Sequence, residues 1–315
     1  MLMKNYFFIN PAAGQGKGAE KLIKEIEEVS HELGLESSIY ITKSVHDGEK
    51  QARYISEKLG GEKARFVVCG GDGTLNEVIN GSRGFDNVTV GVMPTGTGND
   101  WIRNFPEAGD FMSVKAQILG KSVDVDLIKY SGVIDGKFQE RYCVNMFNIG
   151  FDCNCVAAAG ELKKKPLIAG SMAYLLGILS TFIKKDTIGI QVFDGNEKIV
   201  DDHVLLCSIA NGSYCGGGVY TMPQAAIDDG VFDLSIIRNV TRMEFLKLFP
   251  SYKAGRHLDI PGIDDVIKVS RHTSLKLIPK AGEFLLCADG EITTAETVEF
   301  EMVPKALKFN VPVVL

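Results

Sequence analysis

A buried strand, a glycine-rich turn and a helix follow one another without interruption between residues 66 and 81. Phe66 to Cys69 are apolar, the next five residues are Gly70-Gly71-Asp72-Gly73-Thr74, and Leu75 to Gly81 have helical spacing. Glycines allow positive φ and a close approach of the backbone to a ligand, and the N–H groups that open a helix attract anions. The segment therefore predicts an α/β arrangement whose turn either binds a phosphate or is an ordinary tight connection.

Two familiar phosphate-binding loops do not fit this turn. A P-loop ends in Gly-Lys-Ser/Thr, where this chain has Leu75 and Asn76. A dinucleotide-binding turn has its third glycine three residues after the second, and Asn76 stands at that distance from Gly73. A phosphate here is therefore expected to be held by backbone groups together with Asp72, Thr74 and Asn76.

The first half of the chain alternates between strands and helices. Predicted strands cover residues 6–9, 37–42, 66–69 and 88–92, and predicted helices cover 19–33, 48–59 and 75–81. This alternation is typical of a parallel sheet flanked by helices. Glycine-containing loops follow three of the strands, at residues 10–18, 70–74 and 95–100. Ligands of such sheets bind beyond the carboxyl ends of the strands, so these loops are expected to form one site.

Two of these loops have simpler explanations when each is taken alone. Residues 10–18 would also suit a flexible surface connection. Thr97 and Asn99 would also suit the capping of a helix that begins near Asp100. The conjunction of three glycine loops at one sheet edge favours the ligand site.

From about Lys121 onward, period-two alternation replaces the helical pattern. Asp135-Gly136 and Asp194-Gly195 have the composition of hairpin turns. We therefore predict a mainly antiparallel β-sandwich over residues 125–315, after an α/β domain over residues 1–124. A return of the last residues to the first domain is kept as an alternative.

Composition limits the class of protein. The chain has 315 residues, 45% of them hydrophobic, and a net charge of −6, which suits two domains and gives no support to a nucleic-acid partner. Its seven cysteines are odd in number and scattered, which indicates reduced thiols and a cytoplasmic location. No charged region with a cleavage site opens the chain, so secretion is not expected.

One apolar segment bears on membranes. Residues 167–183 are nearly free of charge and lie between two lysine clusters. The segment is shorter than the roughly 20 apolar residues of a spanning helix, so no transmembrane segment is predicted. A buried or substrate-lining helix is preferred, and a helix resting on anionic lipid is the alternative.

Two acidic turns in the second half are candidate sites. Asp289-Gly290-Glu291 is either a hairpin turn or a general base with a second carboxylate beside it, which would raise its pKa. The run from Ala226 to Asp233 contains three carboxylates, and it is either a solvated turn or a site for Mg²⁺ or Ca²⁺. The five histidines lack the spacing of zinc ligands.

Five segments together resemble a known family, the diacylglycerol kinase and sphingosine kinase superfamily of lipid kinases, in particular its bacterial members. They appear in the family's order and cover nearly the whole chain. They are Asn10-Pro11 with Gly14 and Gly16, Gly70 to Glu77, Gly96 to Asp100, Asn211 through Gly216-Gly217-Gly218 to Gly230, and Asp289-Gly290-Glu291. The Gly-Gly-Asp-Gly-Thr block is shared with NAD kinases, and the later blocks favour the lipid kinases.

The resemblance implies an NAD-kinase-like α/β domain that binds ATP and a β-sandwich domain that takes the lipid. The implied ATP contacts are Asn10, Pro11, Ala12, Ala13, Gly14, Thr42, Gly70, Gly71, Asp72, Gly73, Thr74, Leu75, Asn76, Glu77, Thr97, Asn99 and Asp100. Glu291 would be the base and Asp289 its support, while Asp72 would act through a catalytic Mg²⁺. Asp229, with the backbone oxygens of Ala226 and Val231, would hold a structural Mg²⁺.

The preferred hypothesis is an ATP- and Mg²⁺-dependent kinase that phosphorylates a hydroxyl of diacylglycerol or a related lipid at the inner face of the membrane. Glycine loops, Mg²⁺ and one base are sufficient for phosphoryl transfer, which depends on positioning and charge neutralisation. Two alternatives remain: an NAD kinase, and a nucleotide-binding regulatory protein without transfer activity. A homodimer is kept as an option.

Overall fold

The structure is a computed structural model that describes residues 3–16, 18–151, 153, 154 and 187–315. It divides into two units. The first comprises Met1–Asp126 and Pro304–Leu315, and the second comprises Leu127–Val303. The division after Asp126 lies two residues from the boundary expected from the sequence. The apolar segment 167–183 and its flanking lysines lie outside the described residues.

The first unit is built on a parallel sheet. Its strands are β1 (Lys4–Ile9), β2 (Ser37–Ile41), β3 (Ala64–Gly70) and β4 (Val88–Pro94). Its helices are α1 (Ala19–Glu32), α2 (Asp47–Lys58), α3 (Asp72–Ser82) and α4 (Val114–Ile118), with 3₁₀ turns at Ala13–Gly16 and Trp101–Asn104. The strands pair in the order β2-β1-β3-β4, all in parallel. The predicted α/β class is confirmed.

Burial explains why β3 lies inside this sheet. All seven of its residues are buried, as expected of a parallel strand covered on both faces. Phe7, Ile26 and Val67 belong to one apolar cluster that joins β1, α1 and β3. Where α3 packs on α2, a Cβ at Gly81 would collide with the carbonyl oxygen of Glu49, so only glycine permits this approach of the two helices.

The end of the chain returns to the first unit. β16 (Glu291–Val311) runs parallel to β4 near its end, with Lys308 opposite Thr89. The buried Arg65 secures this strand, because its Nε donates to Asn310 Oδ1 at 2.8 Å and its Nη2 to the Gly120 carbonyl at 2.9 Å. Burial lowers the pKa of Arg65 to about 10.

The second unit is a β-sandwich, and within its described residues the strands pair in an antiparallel manner. Its strands are β5 (Lys121–Ile134), β6 (Lys137–Cys143), β7 (Met146–Gly150), β8 (Ile188–Asp194), β9 (Glu197–Ala210), β10 (Tyr214–Cys215), β11 (Val219–Tyr220), β12 (Phe232–Arg238), β13 (Ile267–His272), β14 (Ser274–Pro279), β15 (Phe284–Ala288) and the first part of β16. The described residues of this unit also include helix α5 (Arg242–Lys253) and 3₁₀ turns at His257–Asp259 and Ile263–Asp265. The predicted class of this half is confirmed.

Strand pairing closes this sandwich on itself. Six strands form a circuit in the order β9-β7-β15-β16-β14-β8, with β8 pairing back to β9. The long strands β9 and β16 change partners along their length, which lets one strand serve both faces. The hairpin turns predicted at Asp135-Gly136 and Asp194-Gly195 join β5 to β6 and β8 to β9.

Candidate active site

Two glycine loops lie back to back at the carboxyl ends of β3 and β4. A Cβ added to Gly96 would stand 2.5 Å from the Cα of Gly71, and one added to Gly71 would stand 3.2 Å from the Cα of Gly96. The Thr95 N–H donates to the Gly70 carbonyl at 2.9 Å. Side chains are therefore excluded from this contact, and the backbones themselves form the surface.

The loop after β1 joins the other two. Asn10 Nδ2 donates to Thr74 Oγ1 at 2.9 Å, and Asn10 Oδ1 accepts from the Ala12 N–H at 3.0 Å. Gly14 has a φ of 61°, and a Cβ there would lie 3.5 Å from the Thr95 carbonyl oxygen. The three loops that the sequence predicts at one edge of the sheet do meet there.

Asp72 points across this junction from the first turn of α3. Its Oδ2 accepts from the Asp100 N–H at 3.2 Å and its Oδ1 from the Trp101 N–H at 3.5 Å. A Cβ at Gly98 would lie 3.2 Å from Asp72 Oδ2, so glycine leaves this side of the carboxylate accessible. The α3 N-terminus favours the negative charge. Asp72 is thus fixed by backbone donors between two loops.

The third loop is shaped by its own asparagine. Asn99 has a φ of 53°, accepts from the Gly96 N–H at 3.1 Å and donates to the Gly96 carbonyl at 2.9 Å. Thr97 is exposed at the tip, while Asp100 is buried and lies 3.6 Å from Arg103. Pro11 and Ala12 are also exposed, and Ala13 is half-buried.

Several residues assigned to ATP by resemblance have structural partners within the first unit. Glu77 accepts from the N–H groups of His46 at 2.8 Å and Gly48 at 3.0 Å, so its carboxylate stabilises the start of α2. The Leu75 side chain is buried, and the Thr42 hydroxyl donates to the Ile9 carbonyl at 3.4 Å. These side chains hold the elements that carry the loops.

A cavity of about 240 Å³ lies beside the loops. Its lining includes Asn10, Gly14 and Thr95 from the loops. It also includes Lys21 and Glu25 from α1, which the sequence interpretation missed. The available signal was position alone, since Lys21 is exposed in the first turn of the helix that follows the first glycine loop.

The acidic turn Asp289-Gly290 is a hairpin turn, and its carboxylate also forms hydrogen bonds to another connection of the second unit. Its φ values of 48° and 89° fit a type I′ turn between β15 and β16. The Asp289 carboxylate accepts from the N–H groups of Val144 at 2.9 Å, Asn145 at 2.9 Å and Met146 at 3.2 Å. Asp289 therefore ties this turn to the β6–β7 connection.

Cys143 and Glu291 complete the surroundings of that turn. The Cys143 thiol donates to Asp289 Oδ1 at 3.0 Å. Burial, and next the charge of Asp289, raise the pKa of Cys143, which keeps the thiol protonated as a donor. Glu291 is the exposed first residue of β16, in register with Ala288. The structure thus separates an exposed carboxylate from a buried, positioning one.

At the turn that contains Asp229, a guanidinium takes up the negative charge. Arg271 Nη1 lies 3.3 Å from Asp229 Oδ2, and its Nε lies 3.4 Å from Asp233 Oδ1. Its Nη2 donates to the Gln224 carbonyl at 2.7 Å, and the other oxygen of Asp229 accepts from the Val231 N–H at 3.2 Å. Both oxygens of Asp229 thus have donors, and Arg271 neutralises part of the charge that the structural Mg²⁺ of the resemblance would neutralise.

Metal-ligand clusters are absent from the described ranges, where no three His, Cys, Asp or Glu side chains form a group that could hold a metal ion. Asp233 is almost completely buried. Burial raises the pKa of Asp233, and the neighbouring Arg271 opposes that rise.

Two family models match the chain. One, described as the diacylglycerol kinase catalytic domain, matches residues 4–130. The other, described as the YegS C-terminal NAD kinase beta sandwich-like domain, matches residues 146–311, more than half of the chain. The chain belongs to the diacylglycerol-kinase-like lipid kinases. This lipid kinase is accordingly a phosphotransferase.

Curated relatives agree with this membership over more than nine-tenths of their length. A protein named "Probable lipid kinase YegS-like" from Xanthomonas oryzae pv. oryzae is 26% identical over 298 residues, which cover 92% of this lipid kinase and 91% of the relative. A protein named "Diacylglycerol kinase" from Mycobacterium tuberculosis is 25% identical over 302 residues, covering 95% and 92% of the two chains.

Solved structures share the fold. A diacylglycerol kinase from Bacillus anthracis has a TM-score of 0.68 at 19% identity, covering 98% of this lipid kinase and 96% of that chain. An NAD kinase from Archaeoglobus fulgidus, solved in complex with ATP, has a TM-score of 0.50 at 10% identity, covering 98% and 93%. The expected NAD-kinase-like fold is confirmed. Among the described helices, none is both long and apolar enough to cross a bilayer.

Proposed function

We propose that this lipid kinase transfers the γ-phosphate of ATP, bound with Mg²⁺, to a hydroxyl of diacylglycerol or a related lipid. The observation that carries the proposal is the junction of three glycine loops around Asp72, at the carboxyl edge of a parallel sheet and beside a cavity. Ligands of such sheets bind at this edge. A triphosphate suits a surface made of backbone N–H groups and a helix N-terminus.

The residues of the first unit fit a nucleotide with its metal. The contact between Gly71 and Gly96 leaves no side chain to keep phosphates away from the backbone. Asp72 places a carboxylate at this junction, and carboxylate oxygens are ligands that a hard cation prefers. Mg²⁺ when bound would supply neutralisation of the phosphate charge. Lys21, at the cavity wall, adds a positive charge that the turn itself lacks.

We assign the proton transfer to Glu291. The carboxylate accepts the proton of the lipid hydroxyl as that oxygen attacks the γ-phosphorus and the bond to the β-phosphate oxygen breaks. Asp289 acts as a positioning residue, because its oxygens accept three backbone N–H groups in the turn that precedes Glu291.

A lipid acceptor is supported by the similarity to relatives named a probable lipid kinase and a diacylglycerol kinase. The second unit has an apolar cavity lined by residues that include Leu205, Ile237 and Phe245, but its volume of about 30 Å³ is too small to hold an acyl chain. The family similarity therefore favours the lipid kinase hypothesis over transfer to NAD.

Radiolabelled transfer tests the proposal. Purified protein is incubated with γ-labelled ATP and Mg²⁺, and with diacylglycerol, sphingosine, phosphatidylglycerol or undecaprenol in mixed micelles, or with NAD in solution. We expect label in at least one lipid and none in NAD. Label in NAD alone would establish an NAD kinase. Tight ATP binding without any product, across the panel and at several Mg²⁺ concentrations, would establish a regulatory nucleotide-binding protein.

A further inference from the structure

Helix α5 is held firmly against the second unit by one face. It begins with a capping box in which Thr241 Oγ1 accepts from the Glu244 N–H at 3.2 Å and Glu244 Oε2 accepts from the Thr241 N–H at 2.6 Å. Phe245, Leu248 and Tyr252 point inward, where they pack against a buried apolar cluster. The opposite face of α5 therefore points away from this apolar cluster.

That opposite face carries an apolar ridge. The Met243 side chain is 61% exposed and Leu246 is 55% exposed, and Pro250 on the same helix is also exposed. At 100° per residue, these three positions fall within a sector of about 60°. An amphipathic helix with a buried inner face ordinarily presents polar residues there, so the ridge needs an explanation.

Basic residues border the ridge on both sides. Lys247 lies at one edge, and Arg242 and Lys253 lie at the other. The only acid of the helix is Glu244, which lies away from the ridge and whose carboxylate accepts the Thr241 N–H. This face is positively charged although the chain as a whole carries a net charge of −6.

We propose that this outer face of α5, formed by Met243, Leu246 and Pro250 between Arg242, Lys247 and Lys253, docks on an anionic lipid bilayer. The proposal rests on the proposed function, which requires the enzyme to reach a lipid. Apolar side chains enter the boundary between headgroups and acyl chains while basic flanks meet anionic headgroups. The ridge is one helix wide, which suits a bilayer surface and falls short of a standard protein interface.

The inner face of the same helix is occupied by its packing on the second unit. Phe245 and Leu248 pack against the buried apolar cluster, and together with Phe249 they line a cavity of only about 30 Å³. The outer face is therefore the part of α5 that can meet a bilayer.

Vesicle sedimentation of the full-length protein tests this surface. Vesicles of phosphatidylcholine alone are compared with vesicles that also contain phosphatidylglycerol, without nucleotide. The test variant is Met243→Asp with Leu246→Asp, and the control is Phe138→Asp, which changes a 75% exposed apolar side chain elsewhere in the second unit. We expect the test variant to lose about tenfold in partitioning to the anionic vesicles, and the control to lose less than about twofold.

Activity separates this inference from the proposed function. With a water-soluble short-chain diacylglycerol, wild type and the test variant are expected to turn over equally, while only wild type is fast on vesicle-borne substrate. Equal partitioning of the test variant and wild type, or equal binding of wild type to both kinds of vesicle, would overturn the docking surface. Absence of turnover on every acceptor would refute the proposed function, and the sedimentation result would still decide the docking surface.

Discussion

At the residue scale, Glu291 carries the assigned proton transfer. Because Glu291 is exposed at the start of β16, Glu291→Gln is expected to leave the fold intact. The amide cannot take a proton, so kcat is expected to fall by about 10²-fold or more, while ATP still binds. Radiolabelled turnover and equilibrium binding of ATP measure the two effects. Full activity in this variant would remove Glu291 from the mechanism.

Asp289 is expected to act through structure. Asp289→Asn puts an amide where three backbone N–H groups converge, which leaves donors facing a donor and costs about 1–3 kcal/mol of unfolding free energy. The matched control is Asp135→Asn, since Asp135 occupies the same position of an Asp-Gly hairpin turn, with an exposed side chain that accepts from Thr294.

Urea unfolding and steady-state kinetics together distinguish the two possible roles of Asp289. A positioning role predicts that Asp289→Asn lowers stability and kcat, while the pH profile of the remaining activity keeps its shape. A proton-transfer role predicts an altered pH profile with normal stability, and that result would contradict the assignment.

At the scale of elements, the contact between the β3 and β4 loops depends on two glycines. Gly96→Ala would place a Cβ 2.5 Å from the Cα of Gly71, whereas Gly71→Ala would place one 3.2 Å from the Cα of Gly96. The first change must separate the loops, so it is expected to weaken ATP binding more than the second. Isothermal titration of ATP with Mg²⁺ gives the order, and a reversed order would contradict the back-to-back arrangement.

For the turn that contains Asp229, the contacts in the structure and the family resemblance lead to opposite predictions about a bound metal ion. Because the Arg271 guanidinium contacts Asp229, Asp233 and the Gln224 carbonyl, this turn is expected to need no metal. Chelation of divalent ions, without nucleotide, should leave the unfolding temperature unchanged. Arg271→Gln should lower it by several degrees, since about 1–3 kcal/mol is lost when buried Asp233 loses its partner.

Lys268→Gln is the matched control for that experiment, since Lys268 lies on the same strand β13 and is exposed like Arg271. A stoichiometric metal ion that co-purifies with nucleotide-free protein would support the structural Mg²⁺ of the resemblance. A drop in the wild-type unfolding temperature on chelation would support it equally. Either result would reject the interpretation that the Arg271 guanidinium takes the place of a metal ion at this turn.

At the scale of the whole molecule, local patterns predicted the two fold classes well. Glycine after a buried strand predicted the loops after β3 and β4, and Asp-Gly pairs predicted the β5–β6 and β8–β9 hairpins. These features depend on residues adjacent in sequence, where backbone conformation is set by residue type. The same reasoning predicted that the three loops would meet, because parallel strands share one carboxyl edge.

Local patterns did not predict which residues far apart in sequence would form hydrogen bonds with each other. Asp289 bonds to Cys143 across 146 positions and Glu77 bonds to His46 across 31, and no local signal marks either pair. Likewise, Lys21 reaches the cavity wall only because α1 packs beside the loops. Side chains that belong to the functional motifs therefore also hold structural contacts, and these contacts are visible only in the folded chain.

The central claim is that the junction around Asp72 binds ATP with Mg²⁺ for transfer to a lipid. The most direct measurement compares wild type with Asp72→Asn for transfer of the γ-phosphate to diacylglycerol in mixed micelles as Mg²⁺ is varied. The amide keeps the shape but loses the charge, so we predict a loss of about 10²-fold or more in turnover that added Mg²⁺ does not restore. Wild-type turnover by Asp72→Asn at every Mg²⁺ concentration would contradict the account.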